Sequence, residues 1–233
     1  MTAHPDSFSS YYHTGIQNID RRLAYYGYLQ FTPFFKGKTC LELGPATGYM
    51  TKFLLEDFQE LTAVEGSLDL LEQIPTHERL RKVHSLFEQY NPEKKFDTIV
   101  MSHVLEHIES PVPLLKRIKE WMHKDSAFIL AVPNAKSFHR LAAVKMGMLK
   151  TEYEMNDRDR ALGHYRVYDM STLVRDALAA GFSVKHEGGI LLKFLSNNQI
   201  EKFIDNNVLD AYFQLSDQFK ENSAEIFIVL GLP

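Results

Sequence analysis

Thr39-Cys40-Leu41-Glu42-Leu43-Gly44-Pro45-Ala46-Thr47-Gly48 is the stretch on which the fold turns. TCLEL reads as a short β-strand. The glycines behind it let the backbone turn tightly and pass close to a ligand. Met50, Phe53 and Leu54 then stand at i, i+3 and i+4, so a helix is expected over Thr47–Phe58. A strand, a glycine turn and a helix form the opening of a parallel βαβ unit. In open α/β sheets the ligand sits outside the carboxyl ends of the strands.

The alternation continues from there. Leu61–Val64 is β-like. Ser67–Ile74 reads as a helix with Ser67 at its N-cap. Lys82–Leu86 is a weak strand and Phe96–Val104 a strong one. Pro111 stands at the first position of a helix that buries Leu114, Leu115, Ile118, Trp121 and Met122. Ala127–Val132 is continuously apolar, as in a strand covered on both faces. Ser171–Ala180 is a helix ended by Gly181, and Phe182–His186 and Ile226–Leu230 are the last two strands. Residues 1–37, 135–169 and 191–224 do not fit the alternation. Each is too long for a simple connection, so all three are expected as helical additions capping one end of the sheet. The whole is expected to be one domain, with a lid at 1–37, a core at 38–134 and cap insertions at 135–169 and 191–224.

Glu65 follows Gly44 by 21 positions, at the end of the second strand, where a carboxylate can accept from both hydroxyls of a ribose. A dinucleotide fingerprint would need glycine at Ala46 and Tyr49 and fails at both. The pattern E-x-G-x-A-x-G over Glu42–Gly48 instead resembles the first motif of class I S-adenosylmethionine-dependent methyltransferases, with Ala46 in place of the middle glycine. FDTIVMSHVLEHIESPVPLLKRIKEWM is similar to the fourth-strand region of that superfamily, AFILAVPN to its fifth strand, DMSTLVRDALAAGFSV to its next helix and strand, and IFIVL to its antiparallel last strand. The resemblance covers residues 38–190 and 225–233. It implies a mostly parallel seven-stranded Rossmann-like α/β sheet with helices on both faces and a helical cap. It also implies S-adenosyl-L-methionine as cofactor. Gly44, Ala46 and Gly48 would approach the methionine part, Glu42 would orient the loop or the amino group, and Glu65 would hold the ribose. Ser85, Leu86 and Phe87 would read the adenine, and Ser102 would lie beneath the methionine.

On the acceptor side, the aromatic-rich start offers Tyr11 and Tyr12 as a lid, while Ile16, Ile19, Leu23 and Tyr26 form a core-facing helical stripe. The second addition carries Arg140 and ends in GHYRVYD. There His164 is a candidate base and Arg166 a candidate grip for a carboxylate or phosphate. His103 is a second candidate base. A carboxylate acceptor would need no base. His103, Glu106 and His107, spaced H-x-x-E-H, form with His164 a candidate divalent metal set. That pattern is similar to the E-x-x-E-H…H arrangement of small-RNA 2′-O-methyltransferases, and with His103 replacing the first Glu it suits zinc, iron or manganese better than magnesium. Without a metal, Glu106 and His107 support the turn.

Composition narrows the choice. Lys plus Arg is 26 and Asp plus Glu is 30, a net charge of −4, so nothing overall attracts nucleic acid or an anionic membrane. The single Cys40 excludes an internal disulfide and a cysteine zinc cage. No apolar run is long enough to span a bilayer, and the start lacks a secretory pattern, so a cytoplasmic protein is expected. The expected activity is O-methylation of a small-molecule or peptide-like acceptor. A non-catalytic cofactor-binding partner subunit and an RNA methyltransferase are the alternatives.

Overall fold

The computed structural model describes residues 18–233. Tyr11, Tyr12 and Ile16 lie outside the described residues. In chain order the described elements are α1 (Asn18–Phe31), β1 (Thr39–Leu43), α2 (Thr51–Asp57), β2 (Glu60–Glu65), α3 (Leu68–Gln73), β3 (Leu80–His84) and β4 (Phe96–Ser102). They continue with α4 (Pro111–Glu120), β5 (Met122–Pro133), α5 (Phe138–Lys145), α6 (Asp157–Ala161), α7 (Met170–Ala179), β6 (Ser183–Leu192), α8 (Asn197–Phe203), α9 (Asn206–Gln214) and β7 (Ser223–Gly231).

The seven strands form one sheet in the order β3-β2-β1-β4-β5-β7-β6. β1 to β5 pair in parallel, and β7 runs antiparallel between β5 and β6. The direction of side chains alternates along a strand, so each strand feeds two apolar layers. Leu41, Leu43, Ile99, Met101, Ile226 and Ile228 join Leu114, Leu115 and Ile118 of α4 and Leu173 of α7 on one face. Cys40, Val100, Ile129, Phe227 and Val229 join α1, α2, α8 and α9 on the other, through Ile19, Leu23, Tyr26, Leu54, Ile200 and Leu209. The expected stripe of α1 is therefore core.

Some boundaries move. Gly48 adopts φ +81, which interrupts regular helix, so α2 starts at Thr51 rather than Thr47. Met122 is the first residue of β5, not part of α4, and Trp121 caps that helix. β6 runs on to Leu192, well past His186, because β7 supplies a partner as far as Ser223. The third addition, expected as cap, instead lays α8 and α9 on the second core layer, where Ile200 and Leu209 are buried. Its first residues and its last, Ala224, reach the cavity at the ligand end of the sheet. No described helix is long and apolar enough to cross a membrane.

Candidate active site

The glycine loop leaves β1 with Gly44 donating to Val64 O and closes as a turn in which Gly48 donates to Pro45 O (2.8 Å). Gly44, Ala46 and Gly48 all have positive φ, at +73, +48 and +81. Ala46 thus holds a backbone conformation that costs an L-residue about 1 kcal/mol. A side chain at Gly44 would meet Val104 Cγ2 at 2.4 Å, so only glycine fits. Gly48 faces Ile74 rather than the cavity.

Glu65 holds this loop. Its two carboxylate oxygens accept from the N–H of Ala46 (3.1 Å) and of Ser67 (3.0 Å). Glu42, beneath the loop, accepts from Thr51 Oγ1 (2.6 Å). Burial raises its pKa to about 7, with Thr51 opposing and Glu65 adding. Ser85, Leu86 and Phe87 stand past the end of β3. There Ser85 N donates to Glu65 O, Leu86 is exposed, and Phe87 packs beside Gly44. None of the three is among the residues lining the cavity.

That cavity, about 400 Å³, opens at the carboxyl ends of the parallel strands. Glu42, Gly44, Ala46 and Ser102 line its glycine-loop end, and His103, Glu106, His107, Asp159, His164, Lys193 and Glu225 its other end. His103, just past β4, has φ +57. Its Nε2 lies 2.9 Å from Glu225 Oε1 and its Nδ1 3.7 Å from Glu106 Oε1. Burial works against a charged imidazole here, but Glu225 and Glu106 outweigh it and raise the pKa to about 9. These carboxylates favour the imidazolium over the proton-accepting form that the sequence suggested. Its nitrogens face the two carboxylates, which also removes it from the expected metal set.

His164 arrives from the second addition. Tyr165 N donates to Glu106 O (2.8 Å), and the Arg166 guanidinium donates to Ile108 O (2.5 Å) and Glu109 O (2.8 Å). This stitches GHYRVYD to the turn after β4. Arg166 is thus spent on carbonyls, does not line the cavity, and is not the expected grip for an acceptor. Arg140 does line it, and it donates to Glu152 O, Glu154 O and Asp159, which anchors it within the second addition. His164 and His107 rings meet edge to face at 4.6 Å, and His164 Nδ1 lies 3.4 Å from Asp159 Oδ1. Among the described residues, Glu106, His107 and His164 bring ligand atoms within 4.8 Å of one another. Glu106 is 1% exposed, and neither of its carboxylate oxygens accepts a hydrogen bond.

Residues 15–187, well over half of the chain, match a family described as a methyltransferase domain. The chain belongs to that methyltransferase family.

The methyltransferase shares its fold with many solved structures. One is an S-adenosylmethionine-dependent methyltransferase from Thermotoga maritima, at 16% identity and TM-score 0.67, covering 99% of this chain and 100% of that one. Another is a Haloferax volcanii chain solved in complex with the methyltransferase activator Trm112, at 14% identity and TM-score 0.67, covering 99% and 98%. A third is the glycopeptide N-methyltransferase MtfA complexed with sinefungin, at 13% identity and TM-score 0.60, covering 90% and 86%. No curated protein matches the sequence. The methyltransferase thus has the fold of S-adenosylmethionine-dependent methyltransferases.

Glu225 and Lys193 are the site residues the sequence reading missed. Glu225 opens the antiparallel last strand. A strand running that way starts at the ligand end of the sheet, so an acid just before IFIVL is a signal that could have been used. Lys193 had no such signal.

Proposed function

We propose that this methyltransferase moves the methyl group of S-adenosylmethionine to an oxygen of a small-molecule or peptide-like acceptor. The observation that carries the reading is the single cavity running from the glycine loop to His164. One acceptor atom can therefore stand in line with the donor's methyl group. The acceptor oxygen attacks the methyl carbon, the carbon–sulfur bond breaks, and its electron pair returns to sulfur, giving neutral S-adenosylhomocysteine. Most of the rate comes from alignment and exclusion of water. When the acceptor is a hydroxyl, His164 takes its proton, with Asp159 fixing the ring through Nδ1. The cationic His103, held by Glu225, offers charge complementary to the developing oxyanion. Gly44, Ala46 and Ser102 place the methionine part, and Glu65 the ribose. Ser85, Leu86 and Phe87 flank the adenine side.

The test uses methyl-labelled donor and a metabolite extract, with products read by mass spectrometry. His164→Ala should lower labelling strongly while donor affinity, measured by calorimetry, stays the same. Full labelling by His164→Ala would remove the base. Labelled product carrying the methyl on nitrogen would move the acceptor class.

A metal-assisted form of the same reaction is favoured by the unsatisfied Glu106 carboxylate. His107 and His164 each have a second-sphere partner, the Leu162 backbone and Asp159, as ligating imidazoles do. Burial lowers the His107 pKa, which keeps it in the neutral, ligating form. Zinc, iron or manganese fits two imidazoles and a carboxylate. Chelation and readdition should abolish and restore labelling in this form, and do nothing in the metal-free one.

A further inference from the structure

The end of the cavity away from the glycine loop holds one connected chain of polar groups. Lys193, which directly follows β6, donates to Asn197 Oδ1 (2.5 Å). Asn197 Nδ2 donates to Asp20 Oδ1 (2.8 Å), and the Asp20 carboxylate receives the Arg158 guanidinium at 3.2 Å. All four line the cavity. Asp20 pairs with Arg158, while the Lys193 ammonium has a neutral amide as its hydrogen-bond partner.

That charge sits on a poor host. Lys193 is 8% exposed, and its hydrogen-bond partner is a neutral amide. Among the described residues, no carboxylate approaches its ammonium to ion-pair distance. A buried charge without a counter-ion is costly even after relaxation. Burial, reinforced by Arg158, lowers the Lys193 pKa to about 8, while Asp20 and Glu225 oppose that shift. The nearby acid Glu225 already pairs with His103. His139 adds a second unmet group. Its backbone N–H donates to Lys193 O (3.0 Å), and its ring lines the cavity with Nδ1 buried and unpartnered. Burial, Lys193 and Arg140 hold that ring neutral, with a pKa of about 3.

The donor does not account for this end of the site. β1, which carries the glycine loop, is separated from β6 by β4, β5 and β7. Four steps of strand spacing are roughly 19 Å. An anionic group that satisfies Lys193 and His139 belongs to the molecule on the acceptor side.

We propose that Lys193, with His139 and Arg158 beside it, is the subsite for an anionic group, a carboxylate or a phosphate, carried by the methyl acceptor. This rests on the methyltransferase reading of the cavity. A neutral acceptor of the same shape leaves the ammonium unpaired and is rejected, because the cost of the lone charge returns in full.

The experiment measures melting temperature of the protein saturated with S-adenosylhomocysteine, at constant ionic strength, as chloride is replaced by inorganic phosphate or by acetate. The wild type should be stabilised by at least one of the two, and the better anion tells a phosphate from a carboxylate subsite. Lys193→Met should lose that response, with an apparent affinity for the anion weaker by roughly 10- to 100-fold. Lys193→Arg should keep it. Calorimetric affinity for S-adenosylmethionine should be equal in all three. No stabilisation of the wild type by either anion overturns the proposal, as does an equal response of Lys193→Met. A fall in donor affinity in Lys193→Met would assign the residue to the donor and also overturn it. Failure of the wild type to bind S-adenosylmethionine would instead strike the underlying reading.

Discussion

Replacing Glu42 by glutamine should make the stability of the fold less sensitive to pH. Glu42 is 4% exposed on β1, and its carboxylate accepts from Thr51 Oγ1 at 2.6 Å. Burial raises its pKa from 4.5 to about 7, against the Thr51 hydrogen bond and with Glu65 adding to the shift. Below the lower value the folded and unfolded chains both carry the proton, and the shift has no effect on stability. As pH rises through the interval, the unfolded chain ionises while the folded one stays protonated. Stability is lost progressively until the folded group also ionises near pH 7. Each unit of the gap is worth about 1.4 kcal/mol, so the full loss is about 3 kcal/mol. Glutamine keeps the shape and the acceptor for Thr51 but does not titrate. Urea unfolding of both proteins at steps between about pH 5 and about pH 8 isolates this group, since other titrations cancel in the difference. The glutamine variant should gain about 2.5 kcal/mol relative to wild type across that range, most of it before pH 7. A difference that stays flat would refute the buried-carboxylate account of Glu42.

Three further outcomes are expected. Ala46→Gly should relieve the left-handed backbone at φ +48, raising stability by about 1 kcal/mol and the melting temperature by about 2–4 °C, read by calorimetry. Gly44→Ala places a methyl group 2.4 Å from Val104 Cγ2 at φ +73. It should cost about 3 kcal/mol in chemical unfolding and weaken donor binding. Arg166→Ala removes two hydrogen bonds to the carbonyls of Ile108 and Glu109. It should cost about 1–2 kcal/mol in stability and leave the acceptor's KM unchanged. A raised KM without loss of stability would return Arg166 to the binding role first expected.

The sheet was legible because it is written in short-range patterns. The five-residue TCLEL run of β1, the continuous apolar run of β5 and the Ser67 and Pro111 helix starts each declare themselves within a few residues. The glycine loop and the acids at the strand ends, Glu42 and Glu65, were legible for the same reason, since local turns set them. The other end of the cavity was not. Arg140 and Arg166 have the chemistry of substrate grips, but only the folded chain shows that carbonyls 14 and 58 residues away accept their hydrogen bonds. His103 reads as a base until Glu225, 122 positions later, is seen beside it. Lys193 drew no reading, because the strand before it ends six residues later than the expected His186. Side-chain direction and long-range partners are tertiary properties, and no local period encodes them.

The antiparallel seat of β7 carries a consequence for the order in which the molecule is made. Synthesis proceeds from the amino end, and β5 and β6 leave the ribosome before β7 exists. Until β7 arrives, both present unpaired edges rich in Phe128, Ile129, Ile190 and Leu191, the kind of surface on which nascent chains associate wrongly. The same insertion brings Glu225 against His103. A nascent chain can thus complete its donor loop early, yet its acceptor end stays electrostatically unfinished. Protection from self-association and completion of the site arrive together, with one strand.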